Sequence, residues 1–239
     1  EMQIRKFLGF VMDPGAGVTE LRCFGAKLRG GQTIVPNEHF TSTVAGWFDR
    51  LTHLLVAAAH LDKVSGYVTI NPVDPALLGR AENRVRLLRK NEGSKDADVQ
   101  VLRWLYVDID SIRPDGIAAT DDELDEALKV RDRLLDAHPA IAQSAIWGCS
   151  GNGGWVLVRL PDLANIPENY ELKRRALAIL AGQYDSAAAK IDPKTCNAAR
   201  IACLPGTVKA KGDNLADRPW RLVTIDSPAE GLEDLEPFD

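Results

Sequence analysis

Apolar residues recur along this chain at two spacings, and each spacing predicts its own kind of secondary structure. Helical spacing, in which one side of a segment is apolar, predicts helices over 41–60, 75–88, 121–137 and 166–188. Short runs rich in β-branched and aromatic residues predict strands over 18–28, 33–35, 66–70, 104–110, 144–147, 155–160, 201–204 and 221–225. The elements alternate without the strict rhythm of a doubly wound sheet, and hairpin-like neighbours occur. The pattern therefore favours an α+β fold.

Local signals mark where some elements begin and where the chain divides. The sequence from Thr120 to Glu123 is a capping box, which predicts the start of a helix at residue 121. The segment 91–98 is polar and contains Gly93, which predicts a mobile connection. We therefore expect an N-terminal α/β module over 1–95 and a second module over 96–239, which together form one domain. From Asp226 onward, proline and acidic residues predict a loose tail.

The predicted strand 104–110 carries two carboxylates on one face. Alternate strand residues point the same way, so Asp108 and Asp110 have Cα atoms roughly 6.5 Å apart on one side of the sheet. Two neighbouring carboxylates repel each other unless a positive charge lies between them. A divalent cation with oxygen ligands, Mg²⁺ or Mn²⁺, is the usual partner. The alternative is that one aspartate ends the strand and the other opens the turn at 111–116.

Composition narrows the class of protein. With 239 residues, 45% hydrophobic and 26% charged, the chain has an ordinary globular composition. It shows no apolar stretch long enough to span a membrane and no signal peptide pattern, so we expect a cytoplasmic protein with no membrane partner. The cysteines form no Cys-x-x-Cys pair, which argues against a zinc site. A net charge of −5 argues against coating nucleic acid through global charge, yet 80–95 and 190–221 are locally basic.

A glycine-rich turn at 150–154 joins two predicted strands. Small residues let backbone N–H groups approach an anion closely, so Ser150, Gly151, Asn152 and Gly153 could form a phosphate cradle. The turn does not open a helix, so it fits neither the dinucleotide-binding fingerprint nor a Walker loop. The alternative is a plain hairpin turn.

The order of three motifs resembles a known superfamily. Asp-x-Asp at 108–110 is followed by Ser-Gly-Asn-Gly at 150–153, and then by Asp192 ahead of Asn-x-x-Arg-Ile at 197–201 and Leu-Pro-Gly-Thr at 204–207. This order is similar to that of the archaeo-eukaryotic primase superfamily, and most similar to the primase-polymerase domains of mobile elements, phages and plasmids. The upstream run Thr-Ile-Asn-Pro-Val at 69–73 agrees, and the resemblance spans about 18–225.

The resemblance implies a fold, a reaction and a set of site residues. The expected fold has an RRM-like antiparallel sheet as its catalytic core, joined to the N-terminal α/β module. The expected reaction is template-directed nucleotidyl transfer at a two-metal Mg²⁺ or Mn²⁺ site, with Asp108, Asp110 and Asp192 as catalytic metal ligands. The residues expected to bind nucleotide are Ser150, Gly151, Asn152, Gly153, Trp155, Arg200 and Lys209, and those expected to bind nucleic acid are Arg80, Arg84 and Lys211.

One position departs from the superfamily pattern. Trp155 stands where the second motif usually ends in histidine, and an indole offers one N–H donor and no positive charge. This leaves two functions open: a DNA primase-polymerase, or a catalytically weakened domain that binds nucleotide or single-stranded DNA. Expected partners are a single-stranded DNA template, ribo- or deoxynucleoside triphosphates, and a helicase or other replication module. A metal-dependent nuclease or a sugar-nucleotide transferase would not account for the motifs around Arg200 and Leu204.

Overall fold

The computed structural model describes residues 1–12, 18–24, 65–80, 82 and 92–238 in full, and the backbone at 36–41 and 86–87. The predicted strand 33–35 and nearly all of the predicted helix 41–60 lie outside the described residues. Within the described part of the chain, no helix is long and apolar enough to cross a membrane.

The described helices and strands alternate in the manner expected of an α+β fold. The α-helices are α1 (Met2–Val11), α2 (Asp121–Ala137), α3 (Pro139–Gln143) and α4 (Pro167–Tyr184). The strands are β1 (Val18–Phe24), β2 (Pro36–Thr41), β3 (Ser65–Thr69), β4 (Arg86–Leu87), β5 (Val101–Ser111), β6 (Ala145–Cys149), β7 (Gly153–Ala164), β8 (Ala189–Ile191), β9 (Ile201–Cys203), β10 (Val208–Lys209), β11 (Arg221–Leu222) and β12 (Thr224–Ile225).

Two antiparallel sheets organise the described chain. The first has the strand order β4-β2-β1-β3-β9 and the second has the order β12-β6-β7-β5-β8, while β10 and β11 form a separate hairpin. Strand β9 comes after β5 to β8 of the second sheet in sequence but completes the first sheet beside β3, and β12 then returns to the second sheet. The first sheet therefore contains residues from both sides of the expected boundary near residue 95.

Strand β5 is the long inner strand of the second sheet, and its alternation divides the core in two. On one face, Val107 and Ile109 pack against helices α2 and α4 in a cluster that includes Leu134 and Leu177. On the other face, residues of β5 join a second cluster shared by α1 and both sheets, which includes Trp104, Tyr106, Phe7, Val68 and Trp155. Burial of these side chains on both faces is the main force that holds β5 in place.

The capping box predicted at residue 120 is present. Thr120 Oγ1 accepts a hydrogen bond from the Glu123 backbone N–H at 3.2 Å, and Glu123 Oε2 accepts one from the Thr120 N–H at 2.9 Å. These two bonds satisfy donors that the first turn of α2 would otherwise leave without partners. Helix α2 therefore begins where the sequence predicts.

Three sequence predictions are wrong. Instead of a helix over 75–88, a short 3₁₀ helix at Pro75–Arg80 precedes strand β4. The connection near 94 is held down, because the Ser94 N–H donates to the buried carboxylate of Glu20 at 2.7 Å. The tail after 226 packs on the fold: Leu235 is buried and the Phe238 N–H donates to the Arg159 carbonyl at 2.8 Å.

Candidate active site

Backbone pairing brings the separated acidic motifs together. Ile109 of β5 pairs with Ile191 of β8, and the Asp192 N–H donates to the Asp108 carbonyl at 2.9 Å. Because directly paired residues lie side by side, Asp192 sits next to Asp108 across the ladder. Two of the three sequence motifs are therefore neighbours in space.

Asp108 and Asp110 line a cavity of about 360 Å³ between the two sheets. The volume lies within the usual range for small-ligand pockets. The basic residues of the lining are Arg113, Arg200, Lys209 and Lys211, and the aromatic residues are Phe24, Tyr67 and Tyr106. The cavity therefore combines carboxylates, cations and aromatic rings, the groups that could hold a metal ion, a polyphosphate and a base.

Asp108 carries an electrostatic cost that a cation would relieve. Burial, followed by the negative charge of Asp110, raises the pKa of Asp108 from 3.8 to about 7, although Lys209 and Arg200 act in the opposite direction. A divalent cation between two such carboxylates would favour their charged forms, and oxygen ligands suit Mg²⁺ or Mn²⁺. The pair Asp108 and Asp110 therefore fits a hard divalent cation.

The carboxylate of Asp192, the third predicted metal ligand, already has other partners. Asp192 Oδ1 accepts a hydrogen bond from the Lys194 N–H at 2.9 Å, where it caps the 3₁₀ helix Pro193–Cys196, and Oδ2 lies 3.9 Å from the Arg200 guanidinium. Among the residues that the structure describes, no three His, Cys, Asp or Glu side chains are grouped closely enough to hold a metal. Asp192 therefore has one carboxylate oxygen engaged in the cap and the other near Arg200.

The predicted phosphate-binding cations Arg200 and Lys209 both lie in the cavity wall. The Arg200 guanidinium lies 5.9 Å from the centre of the Tyr106 ring, and its buried Nε has no hydrogen-bond partner among the described residues. Lys209 Nζ lies 2.6 Å from the Tyr67 hydroxyl and 2.9 Å from the Cys203 sulfur. Burial opposes the charge on Lys209, but the neighbouring Cys203 and Tyr67 outweigh it and raise the pKa of Lys209.

The hairpin that carries Lys209 is anchored to the start of α2. The Arg218 guanidinium donates to Glu123 at 2.7 Å, and Arg221 donates to the Ala119 carbonyl at 2.8 Å. Lys211 follows on the same hairpin and also lines the cavity, as a nucleic-acid or phosphate contact would require. These anchors fix the basic side of the cavity relative to the second sheet.

Arg113 is a site residue that the sequence analysis missed. Its side chain is buried, lies 3.6 Å from Asp110 Oδ1, and donates to the Ser111 hydroxyl at 2.7 Å. A basic residue three positions after the acidic strand was the available signal, but the turn that folds it back onto Asp110 is not evident from spacing. Arg113 places a fixed positive charge beside the acidic pair.

The glycine-rich turn does not present the predicted cradle of free amides. The Ser150 N–H donates to the Gly153 carbonyl at 2.8 Å, the Gly151 N–H faces the Cys149 sulfur at 3.2 Å, and the Asn152 N–H faces the Ser150 hydroxyl at 3.4 Å. The amides of Ser150, Gly151 and Asn152 are thus used inside the turn. Of these residues, Ser150 lines the cavity, whereas Asn152 is buried and accepts a hydrogen bond from the Ala119 N–H at 2.8 Å.

The prediction that Trp155 contacts nucleotide conflicts with its position in the fold. Trp155 is 2% exposed and meets Phe7 of α1 edge to face, with ring centres 5.7 Å apart. Gly148 on the neighbouring strand leaves room for it, since a Cβ there would come within 2.7 Å of the indole ring. Trp155 is a core residue because α1, which the sequence analysis did not predict, covers this part of the sheet.

The predicted nucleic-acid contacts on the N-terminal side are only partly described. Arg80 ends the 3₁₀ helix, donates to the Glu92 carbonyl at 2.7 Å and is not among the residues that line the cavity. Arg84 lies outside the described residues. The 3₁₀ helix ends at Arg80, so Arg80 does not lie on the basic face of a longer helix.

Comparison with known proteins gives two structural likenesses. No family model matches the sequence. No curated protein matches it either. The chain is similar to the crystal structure of primase RepB′, with a TM-score of 0.46 and 15% identity over 98% of this chain and 59% of that chain. It is also similar to the crystal structure of the catalytic domain of primase RepB′ in complex with initiator DNA, with a TM-score of 0.44 and 15% identity over 98% of this chain and 90% of that one. The chain thus spans less than two thirds of the first of these proteins.

Proposed function

We propose that this chain is the catalytic domain of a DNA primase-polymerase. It would make or extend primers by template-directed, divalent-metal-dependent nucleotidyl transfer on single-stranded DNA. The described topology supports an RRM-like core: apart from the short helix α3, the elements β5, α2, β6, β7, α4 and β8 follow one another as β-α-β-β-α-β, and the strands lie in the order β6-β7-β5-β8.

One observation carries the proposal. The Asp192 N–H donates to the Asp108 carbonyl at 2.9 Å, so two acidic motifs that are far apart in sequence meet beside one cavity. The same cavity is lined by Arg200 and Lys209, the cations expected to contact a triphosphate. A carboxylate that only ended a strand would not require a second acidic motif and two cations beside it.

The reaction assigns complementary tasks to the two sides of the cavity. The 3′-hydroxyl oxygen of a primer would lose its proton to water and form a bond to the α-phosphorus of the incoming nucleotide, while the bond to the pyrophosphate oxygen breaks. Asp108 and Asp110 would hold a divalent cation, which when bound supplies Lewis acidity and neutralises developing charge on the phosphate oxygens. Arg200 and Lys209 would orient the triphosphate and neutralise its charge, and arginine suits bidentate phosphate contacts.

Primer synthesis by the purified domain tests the proposal. Incorporation of a labelled nucleotide on a single-stranded template would be measured with Mg²⁺ and with Mn²⁺ for the unchanged protein, Asp108→Asn and Asp110→Asn. We expect each substitution to lower the rate at least about a thousandfold, because it removes a charged cation ligand. Asp115→Asn is the matched control, since Asp115 is an exposed aspartate in the turn that follows the same strand. Equal activity of Asp108→Asn and Asp115→Asn would contradict the proposal.

A second function has its own structural support. Trp155 is buried where a histidine contact would be expected, and the Asp192 carboxylate caps the turn at Lys194. Both features favour a domain that binds nucleotide or single-stranded DNA without extending a primer. Nucleotide binding with no incorporation under either metal would establish this alternative.

A further inference from the structure

The cavity wall formed by the first sheet is aromatic, and the proposed chemistry gives it no task. Phe24 lies at the end of β1, is 39% exposed and lines the cavity together with Tyr67 of β3. The two rings meet edge to face, with centres 5.1 Å apart and an interplanar angle of 89°. Phe24 thus packs against Tyr67, while part of its side chain remains exposed to solvent.

A cation lies next to this aromatic pair. Lys209 Nζ is 4.7 Å from the centre of the Tyr67 ring and 2.6 Å from its hydroxyl. Lys211 lines the same cavity. A nucleoside triphosphate has the complementary layout, with a flat aromatic base at one end and a polyanion at the other.

The strand that carries Phe24 is held in place by a buried polar network. Arg22 forms an ion pair with the fully buried Glu20, and its guanidinium donates to the Ser94 carbonyl at 3.2 Å. The Glu20 N–H in turn donates to the Thr69 hydroxyl on β3 at 3.0 Å. The position of the aromatic pair is therefore set before any ligand arrives, which reduces the entropic cost of binding.

We propose that the base of a nucleoside triphosphate stacks on Phe24, with Tyr67 supporting the ring and Lys209 contacting the phosphates. The proposal rests on the function above, which assigns the cavity to a nucleotide. A base of single-stranded DNA offers the same aromatic face, and stacking on protein rings tolerates any base. Separate binding measurements distinguish a free nucleotide from single-stranded DNA as the source of the base. The geometry favours the free nucleotide because Phe24 lines the same cavity as Asp108 and Asp110.

Binding calorimetry with dATP and with inorganic tripolyphosphate, both with Mg²⁺, separates base contacts from phosphate contacts. Phe24→Leu keeps an apolar side chain but removes the ring. We expect it to weaken dATP binding about tenfold and to leave tripolyphosphate binding within about twofold of the unchanged protein. Phe24→Trp keeps a ring and should retain dATP affinity. Tyr170→Leu is the matched control, since Tyr170 is an exposed aromatic on α4, away from the cavity.

Each other outcome overturns the stacking proposal, the proposed function or both. Unchanged dATP affinity in Phe24→Leu would remove the stacking role, and equal loss of both ligands would make Phe24 a structural residue. Loss of affinity for a single-stranded oligonucleotide, with dATP affinity kept, would assign the wall to the template strand. A domain that binds dATP tightly but incorporates none would sink only the primase-polymerase function. No binding of dATP or tripolyphosphate by the unchanged protein would overturn both.

Discussion

The two faces of strand β5 show how one strand can build both a core and a candidate site. On the face toward α2 and α4, Val107 and Ile109 are completely buried among aliphatic side chains. On the opposite face, Trp104 and Tyr106 are buried first, and Asp108 and Asp110 then meet the cavity. The period of two along a strand separates these environments without any change in backbone conformation.

The difference between the two faces of β5 predicts which positions tolerate substitution. The helix-covered face is uniform along its length, so any lost volume leaves a void. The other face changes from apolar to acidic within two residues, and the acidic end is under electrostatic strain that binding could relieve. Stability should therefore depend mainly on the first face, and chemistry on the end of the second.

Replacing Ile109 should give the largest loss of stability. Ile109 is fully buried, so Ile109→Ala should lower the free energy of unfolding by about 4 kcal/mol through lost apolar contact and an unfilled cavity. The neighbouring Asp110→Asn should change it by less than about 1 kcal/mol, because Asp110 is exposed. Urea unfolding of both variants makes the comparison. Similar losses at the two positions would show that the faces do not differ as described.

The packing of Trp155 offers a sharper test on the second face. Trp155→His would restore the residue type expected from the resemblance, but it would bury an imidazole against Phe7 and leave space unfilled. We expect a loss of about 3 kcal/mol in unfolding free energy and no gain in nucleotide affinity. Trp155→Phe, which keeps an aromatic ring, should lose less. A stable Trp155→His variant with tighter nucleotide binding would place this side chain in the site instead.

The acidic end of the second face should make stability depend on pH. The pKa of Asp108 is raised by burial from 3.8 to about 7, so the folded protein holds this proton more tightly than the unfolded chain does. Protonated Asp108 therefore stabilises the fold fully below about pH 4, and this stabilisation is lost as the pH rises through about 7. We expect it to be on the order of 2 kcal/mol, less than the full shift implies, because Asp108 is only partly buried.

Thermal unfolding of the unchanged protein and Asp108→Asn isolates this effect, because the other titrating groups are common to both. The stability advantage of the unchanged protein over the variant should shrink between pH 4 and pH 7. At pH 8, adding Mn²⁺ should stabilise the unchanged protein and leave the variant unaffected. Parallel pH profiles for the two proteins would count against a strained Asp108.

Local patterns predicted the acidic strand and its neighbours well. Strand β5 was evident because its apolar run is long, and helix α2 because its cap and its apolar spacing agree. The cavity wall was not evident, since Phe24, Tyr67 and Arg113 meet only after two sheets and a turn have formed. No spacing rule connects residues whose proximity depends on tertiary structure.

The prediction that Trp155 contacts nucleotide was wrong for a different reason. The burial of Trp155 depends on α1, where Ile4, Phe7 and Leu8 have the helical spacing of an apolar face that covers the sheet. The glycine-rich turn failed for another reason: sequence identifies small residues, but not whether their amides point outward or bond within the turn. Accurate prediction there requires the backbone itself.

Removing the N-terminal cap of α2 should give the smallest loss of stability. It tests the end of the helix that covers the apolar face of β5. Thr120→Ala removes the Oγ1 that accepts the Glu123 N–H, so unfolding free energy should fall by about 1 kcal/mol. Thr120→Ser keeps the oxygen and should stay within about 0.5 kcal/mol of the unchanged protein. Urea unfolding resolves the two variants. Because Thr120→Ala leaves the Arg218–Glu123 ion pair in place, dATP affinity should not change. A loss of affinity in Thr120→Ala would mean that the cap also fixes the basic side of the cavity through Glu123.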